Sequence, residues 1–137
     1  MKLNIGTLVV IFGLGAVLIA AAFSVVWTPV AIVGGVLAAV GWLCLVVARL
    51  QLGASFSVTA KAKKLVTTGI YSKIRNPIYV FSAMFLLGLI IVMGMWLLLI
   101  PLLVLIPVQI VRARKEQQVL EQAFGEEYVR YKAGTWF

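Results

Sequence analysis

The sequence contains no histidine, only four acidic residues and a single cysteine among 137 residues. The missing histidine removes the commonest general base and the commonest metal ligand, and the few acidic side chains with one thiol make a zinc site improbable. We therefore expect no metal. Because one cysteine cannot form an intrachain disulfide, Cys44, which lies in an apolar segment, is interpreted as a buried and inert thiol.

Charged residues are also scarce, at 12% of the chain, and none occurs in residues 3–48 or 76–111. The mean hydropathy of +1.13 is far above that of soluble domains. The two uncharged blocks are continuous apolar runs without period-2 polar alternation, which argues against a membrane β-barrel. The composition therefore predicts an all-α, polytopic membrane protein.

The two blocks have room for four transmembrane helices within a single domain, 1–137. Thr28 is the expected N-cap of the second helix, with Pro29 at its first position, and Gly94 is the expected turn of the second block. The predicted segments are scaffold helices at 5–26 and 29–48, a cytoplasmic loop at 50–76, a hairpin of helices at 78–93 and 95–111, and a C-terminal cytoplasmic or interfacial helical segment, 112–137. The last membrane helix is expected to continue out of the membrane to about Ala123, with Gly125 ending it.

The basic residues predict the orientation of these helices. Six of them and no acid lie between Arg49 and Arg75, so this loop and both termini are expected on the cytoplasmic side of a bacterial inner membrane. Lys2 and the following apolar run resemble a signal peptide, but the run is too long, and we expect a retained anchor. The net charge of +8 fits this topology and anionic membrane lipids, so no nucleic-acid partner is expected.

Arg75, Asn76 and Pro77 stand together immediately before the third apolar helix. Asn and Pro are favoured at a helix start, and the positive helix terminus beside Arg75 is suited to a carboxylate or phosphate. The hairpin brings Glu116 to the same membrane surface. The alternative for Glu116 and Glu121 is a solvated helix face paired with neighbouring basic residues. We favour this alternative for Glu121 but not for Glu116, because of the family resemblance described next.

Two segments flank the predicted hairpin, LVTTGIYSKIRNPIY at 65–79 and RARKEQQVLEQAFGEEYVRY at 112–131. Together they resemble the family of isoprenylcysteine carboxyl methyltransferases and phospholipid methyltransferases, which are integral membrane enzymes. Asn76 stands where that family has histidine, and Gln117 stands where it has the second glutamate of a pair. The positions that match are Gly69, Tyr71, Arg75, Pro77, Tyr79, Glu116, Leu120, Phe124, Gly125, Tyr128 and Tyr131.

The resemblance implies S-adenosylmethionine as cofactor, covered by the C-terminal segment 112–137. It also implies a lipophilic methyl acceptor that enters from the bilayer, either an isoprenylcysteine-like carboxylate or a phospholipid amine. It implies Arg75 and Glu116 as catalytic residues, with Arg75 suited to the cofactor carboxylate and Glu116 to its amino group or ribose. The cofactor-binding residues that it implies are Gly69, Tyr71, Arg75, Asn76, Pro77, Tyr79, Glu116, Gln117 and Tyr128.

Two other functions stay open. The first alternative is a non-catalytic membrane accessory protein. Such a protein would keep the fold but would have lost catalytic activity because Asn76 and Gln117 replace the family's histidine and second glutamate. The second alternative is a nicotinamide-dependent enzyme that resembles sterol reductases. Those proteins end in an Arg-His-Pro and Tyr-x-x-Tyr pattern that is loosely similar to the C-terminal half of this chain. The chain is short for that class, and nicotinamide binding would identify it.

Overall fold

The computed structural model describes residues 4–52 and 67–136, which fold into helices and contain no strand. Two short 3-10 turns, Gly69–Ser72 and Trp96–Leu98, lead into the third and fourth helices. The predicted all-α class is confirmed. The helices are α1, Ile5–Ser24; α2, Pro29–Leu52; α3, Pro77–Met93; α4, Leu99–Phe124; and α5, Glu126–Ala133.

The helices α1 and α2 and the segment Trp96–Phe124 are each long and apolar enough to cross a membrane. Helix α3 has 17 residues, which lies at the short end of the range for a crossing. The helices differ from the predicted bounds mainly at one end of the bundle. Helix α2 continues to Leu52, past its predicted end at residue 48, because the polar residues there are compatible with a helix that leaves the membrane. Helix α4 continues to Phe124, close to the expected end at Ala123. Most of the predicted loop, 53–66, lies outside the described residues.

Local signals place several helix ends where the sequence predicts them. The Thr28 hydroxyl accepts a hydrogen bond from the Ala31 N–H at 3.1 Å, so Thr28 caps α2 as expected. Gly94 ends α3 with φ of +64°, and Gly125 ends α4 with φ of +53°. A positive φ is tolerated by glycine because it has no Cβ.

Helices α2 and α3 pack closely along a seam of small residues. A Cβ atom on Gly34 would lie 2.6 Å from an Ile91 methyl carbon, and one on Gly41 would lie 2.8 Å from the Phe85 nitrogen. Small residues let membrane helices approach at short distance. The buried residues of α2 are Ala31, Gly34, Ala38, Gly41, Leu45 and Ala48.

The alternating helix directions define two ends of the bundle. The turn end carries Thr28 and Gly94, and the loop end carries the last turn of α2, the Gly69–Ser72 turn and the start of α3. Helix α1, which includes a π-helical stretch at Val9–Leu14, is joined to α2 by the Trp42 indole N–H, which donates to the Val10 carbonyl at 2.9 Å. Helix α4 is more exposed, since within this fully described helix only Leu102 is buried.

Candidate active site

Helices α3 and α4 are joined at the loop end by a hydrogen bond between their side chains. The Tyr79 hydroxyl donates to Oε1 of Glu116 at 2.5 Å. This distance lies at the short end of the range for a hydroxyl bonded to a carboxylate, and such charge-assisted bonds are stronger than neutral ones. The bond connects the first turn of α3 to a residue on the polar half of α4, as the predicted hairpin requires.

Two further side chains complete what we call the Glu116 cluster, which consists of Arg49, Tyr71, Tyr79 and Glu116. Arg49, in the last turn of α2, is half-buried and lies within electrostatic range of the Tyr71 and Tyr79 phenols. Glu116 acts electrostatically on Tyr71 as well. The cluster therefore contains the Arg49 cation from α2, the Glu116 carboxylate from α4, and the two tyrosine phenols that interact with both.

The Tyr71 side chain is the most enclosed member of this cluster. It is 5% exposed, and its hydroxyl is buried without a hydrogen-bond partner. Burial raises the pKa of Tyr71 well above its ordinary value, and the neighbouring Tyr131 and Glu116 act in the same direction while Arg49 opposes them. The Tyr71 hydroxyl is thus neutral and makes no hydrogen bond to the protein. Burying an unsatisfied hydroxyl costs free energy unless a ligand forms a hydrogen bond with it.

A second group of side chains, the Arg75 cluster, consists of Arg75, Tyr128 and Tyr131. Tyr128 is 1% exposed, and both its hydroxyl and the Arg75 Nε atom are buried without a hydrogen-bond partner. The two tyrosine rings of α5 lie with centroids 6.0 Å apart. Burial raises the pKa of Tyr128, and it raises that of Tyr131 to about 12, while the Arg75 charge opposes both shifts.

The C-terminal segment is tied to the residues that precede α3. The Tyr131 hydroxyl donates to the Tyr71 carbonyl at 2.7 Å, and the Trp136 N–H donates to the Lys73 carbonyl at 2.7 Å. These two bonds hold α5 over the segment from Tyr71 to Arg75. As a result the two clusters are adjacent, with Tyr71 contributing its phenol to one and its backbone to the other.

The remaining predicted site residues surround these clusters. Gly69, with φ of +63°, begins the 3-10 turn beside the Gln51 side chain, and the Gln51 Oε1 atom accepts the Ile70 N–H at 2.9 Å. Pro77 is fully buried at the first position of α3. Asn76 occupies the N-cap position, but its side chain makes no capping hydrogen bond, so this part of the expected helix start is not observed.

Arg75 and Glu116, the two residues expected to form halves of one pocket, lie in different clusters. No ion pair or hydrogen bond joins them in the described structure, and the Arg75 charge acts instead on the tyrosines of α5. Gln117 is half-buried next to Glu116. The structure brings Glu116 together with Tyr71 and Tyr79, and it brings Arg75 together with Tyr128.

Sequence reasoning missed two members of the site. Arg49 was used only as evidence for orientation, although it is the single charged residue between positions 3 and 60 and ends a membrane helix, which marks a candidate functional residue. Tyr131 was recognised as a matching position but given no role. Its spacing of three from Tyr128 places the two rings on one helix face.

An apolar cavity of about 340 Å³ lies elsewhere, between α1, α2 and α3. Leu18, Val36 and Leu89 are among its lining residues, and none of the described residues that line it is titratable. The cavity is therefore separate from the two polar clusters, and it offers no group for chemistry.

The family model for phospholipid methyltransferase matches residues 29–127, well over half of the chain. The chain belongs to this family. No curated protein and no solved structure matches it. The region shared with phospholipid methyltransferases runs from the start of α2 to the first turn of α5, so it contains the whole Glu116 cluster and Arg75 but stops just before Tyr128. Membership in the family indicates a membrane methyltransferase that acts on a lipid.

Proposed function

We propose that this phospholipid methyltransferase family member transfers a methyl group from S-adenosylmethionine to a lipophilic acceptor at the cytoplasmic face of a bacterial inner membrane. The observation that carries the proposal is the Tyr79–Glu116 hydrogen bond, flanked by the buried Tyr71 hydroxyl, which has no partner. The basic residues on both sides of the Gly69–Ser72 turn support the cytoplasmic orientation.

The residues present fit the cofactor because the buried polar atoms without partners match its polar groups. The Arg75 guanidinium beside the start of α3 suits a carboxylate, and its Nε atom is one of those atoms. Glu116 and Gln117 suit an amino group or ribose hydroxyls. The enclosed Tyr128 hydroxyl adds a further donor, and the tyrosine rings provide apolar walls.

S-adenosylmethionine supplies an electrophilic methyl group bonded to a sulfonium. For such a displacement the protein has to position the reactants and exclude water. Tyr71 and Tyr128 restrict access of water, since both are almost fully enclosed. Helix α5 is held by the hydrogen bond from Tyr131 to the Tyr71 carbonyl, and Trp136, which follows it, donates its N–H to the Lys73 carbonyl. In the proposed function this segment covers the site from the aqueous side.

The acceptor determines whether a base is needed. A carboxylate acceptor already has its lone pairs available. An amine acceptor is protonated at neutral pH, so it must lose a proton before it can react, and Glu116 is the carboxylate available in the cluster to receive that proton. The Tyr79 hydroxyl, which donates to Glu116, orients that carboxylate.

The proposal is tested by calorimetric binding of S-adenosylmethionine to the detergent-purified protein. We expect binding to the wild type and its loss in Arg75→Ala and in Glu116→Ala. Arg114→Ala and Glu126→Ala, which remove exposed charges of the same sign, serve as controls and should bind like the wild type. A folded wild-type protein that binds no S-adenosylmethionine would refute the proposal.

Methyl transfer is then measured with radiolabelled S-adenosylmethionine and a total membrane lipid extract. A labelled lipid would support the enzymatic function and identify the acceptor class. Binding without transfer to any lipid would instead favour a non-catalytic family member, in which Asn76 and Gln117 preserve the cofactor site without the chemistry.

A further inference from the structure

The position of the Tyr71 phenol depends on how the 3-10 turn Gly69–Ser72 is attached to the helices. A bond inside the turn fixes its shape, since the Ser72 hydroxyl donates to the Gly69 carbonyl at 2.6 Å. A local bond of this kind does not determine where the turn lies relative to the bundle. That position requires contacts with residues that are distant in sequence.

Gln51, in the last turn of α2, provides such a contact on one side of Tyr71. Its Oε1 atom accepts the Ile70 N–H at 2.9 Å, and the two residues are 19 positions apart in the chain. On the other side, the Tyr71 carbonyl accepts the Tyr131 hydroxyl of α5 at 2.7 Å. The backbone is therefore held just before and just after the Tyr71 side chain, which restricts the direction of its phenol.

Helix α2 is a firm support for the Gln51 bond. It packs against α3 so closely that a Cβ atom on Gly41 would lie 2.8 Å from the Phe85 nitrogen. Close-packed helices have little freedom to shift relative to each other. Gln51 therefore connects the turn to the rigid α2–α3 pair, whose second helix also carries Tyr79 of the Glu116 cluster.

Gly69 is the residue that lets the Gln51 side chain reach the turn. A Cβ atom on Gly69 would collide with the side-chain amide of Gln51, so the amide takes the place where a side chain would stand. Gly69 also has φ of +63°, a conformation that residues with a Cβ atom rarely adopt. Both its missing side chain and its backbone conformation are thus required for the contact with Gln51.

The Gln51 bond has a local effect. It is exposed to solvent, so water can replace it and its contribution to the overall stability is small. The Tyr71 side chain is only 5% exposed, and its buried hydroxyl needs the correct direction to bond a ligand, because hydrogen bonds weaken steeply as they become misaligned. A displaced turn should therefore change ligand binding more than folding.

We propose that Gln51 is a positioning residue, which holds the turn so that the Tyr71 hydroxyl is directed toward bound S-adenosylmethionine. Gly69 acts by admitting the Gln51 side chain and does not itself touch the cofactor. This inference rests on the proposed function, and it assigns a role to a residue of α2 that lies outside both clusters.

Gln51→Met in detergent-purified protein tests the role, because it keeps the length of the side chain and removes the acceptor oxygen. We expect faster amide hydrogen exchange in the Gly69–Ser72 turn of the ligand-free protein and a rise of about fivefold in Kd for S-adenosylmethionine. The melting temperature should fall by no more than about 4 °C. Gln51→Glu, which keeps an acceptor oxygen, should behave like the wild type. The exposed Gln122→Met is the matched control and should change none of these quantities.

Tyr71→Phe provides the background that separates positioning from a merely structural role. In a Tyr71→Phe protein, Gln51→Met should raise Kd by less than about twofold, because the hydroxyl that Gln51 directs is already absent. A second fivefold rise in that background would overturn the inference, as would unchanged hydrogen exchange in Gln51→Met or weak binding by Gln51→Glu. Absence of cofactor binding in the wild type would refute the proposed function itself. The two failures are distinguishable, since the exchange experiment contains no cofactor.

Discussion

Helices α2 and α3 contact each other through glycine and alanine, whereas α4 and α5 contribute charged and aromatic side chains to the same bundle. In the α2–α3 seam, backbones approach so closely that Gly34, Gly41 and Gly88 have no room for a side chain. The α4–α5 region is joined to the rest through side-chain bonds such as Tyr79–Glu116 and Tyr131 to the Tyr71 carbonyl.

The α2–α3 seam mainly stabilises the fold, whereas the α4–α5 region carries side chains of the candidate site. Dense packing between small residues fixes the positions of α2 and α3, and therefore of Arg49 and Tyr79 at their loop ends. The α4–α5 region carries Glu116 and Tyr128, and within α4 only Leu102 is buried. Regions with few buried apolar contacts open at lower free energy, and ligand sites are commonly built there. Substitutions in the two regions should therefore have different consequences.

The largest effect is expected for Gly88→Val in the seam. A Cβ atom at Gly88 would collide with the Ala38 nitrogen and would lie 2.7 Å from the Gly34 carbonyl oxygen. Because these are backbone atoms that cannot move aside, we expect a loss of about 3 kcal/mol in the free energy of unfolding. Thermal unfolding in detergent, followed by circular dichroism, measures it.

Gly13→Ala in α1 is the control, since a Cβ atom there meets only the Val9 side chain, at 3.6 Å. Its free energy of unfolding should change by less than about 1 kcal/mol. If Gly88→Val melts at the wild-type temperature, α2 and α3 do not pack through this seam.

Features that depend on neighbouring residues were predicted well from the sequence. The Thr28 cap and the turns at Gly94 and Gly125 need only local backbone preferences, and apolar runs of sufficient length identify the helices. The limit of α2 was placed too early, because the change from apolar to polar residues marks where a helix leaves the membrane and not where it ends. For α4 the continuation beyond the membrane to about Ala123 was predicted, and the helix ends at Phe124.

The arrangement of the site depends on contacts that are distant in sequence. Arg49 lies within electrostatic range of the Tyr71 and Tyr79 phenols because α2 packs beside α3 and the 3-10 turn before it, and no pattern near Arg49 indicates this. Arg75 lies within electrostatic range of Tyr128 because the last helix is tied to the Gly69–Ser72 turn by the Tyr131 hydroxyl. Family resemblance identified the individual residues, but their division into two clusters required the three-dimensional structure.

An intermediate effect is expected for Gly125→Ala, which tests how α5 is held. Gly125 has φ of +53° and ψ of −122°, and nothing lies within 4 Å of an added Cβ atom, so the cost comes from the backbone alone. Alanine in this conformation costs about 1–3 kcal/mol. We expect faster amide hydrogen exchange in α5 and weaker binding of S-adenosylmethionine, because Tyr128 is displaced.

Gly94→Ala is the matched control at the turn end. Gly94 also has a positive φ, but its φ of +64° and ψ of 18° are those of the left-handed helical region, and it too has open space around it. It should lower the free energy of unfolding by about 1 kcal/mol without changing hydrogen exchange in α5. Equal exchange in the two variants would mean that the Gly125 conformation does not position the last helix.

The smallest effect is expected for Tyr131→Phe, compared with Tyr128→Phe in the same helix. Tyr131 donates to the Tyr71 carbonyl at 2.7 Å, so the loss of its hydroxyl should lower the free energy of unfolding by about 1 kcal/mol. The Tyr128 hydroxyl is buried without a partner, so its removal should leave the ligand-free protein equally stable or more stable. Denaturant unfolding of both variants measures this, and a larger loss for Tyr128→Phe would contradict it.

Burial of the Tyr131 hydroxyl, which raises its pKa, makes the Tyr131 contribution dependent on pH. The pKa of Tyr131 in the folded protein is about 12, above its ordinary value of 10.0, so folding favours the protonated phenol. Its stabilisation is therefore complete below a pH of about 10 and is lost as the pH rises through about 12. The difference in unfolding free energy between the wild type and Tyr131→Phe should shrink over that window, because phenylalanine has no proton to lose. A difference that grows with pH would show that the ionised phenol, and not the neutral donor, is the form that holds α5 in place.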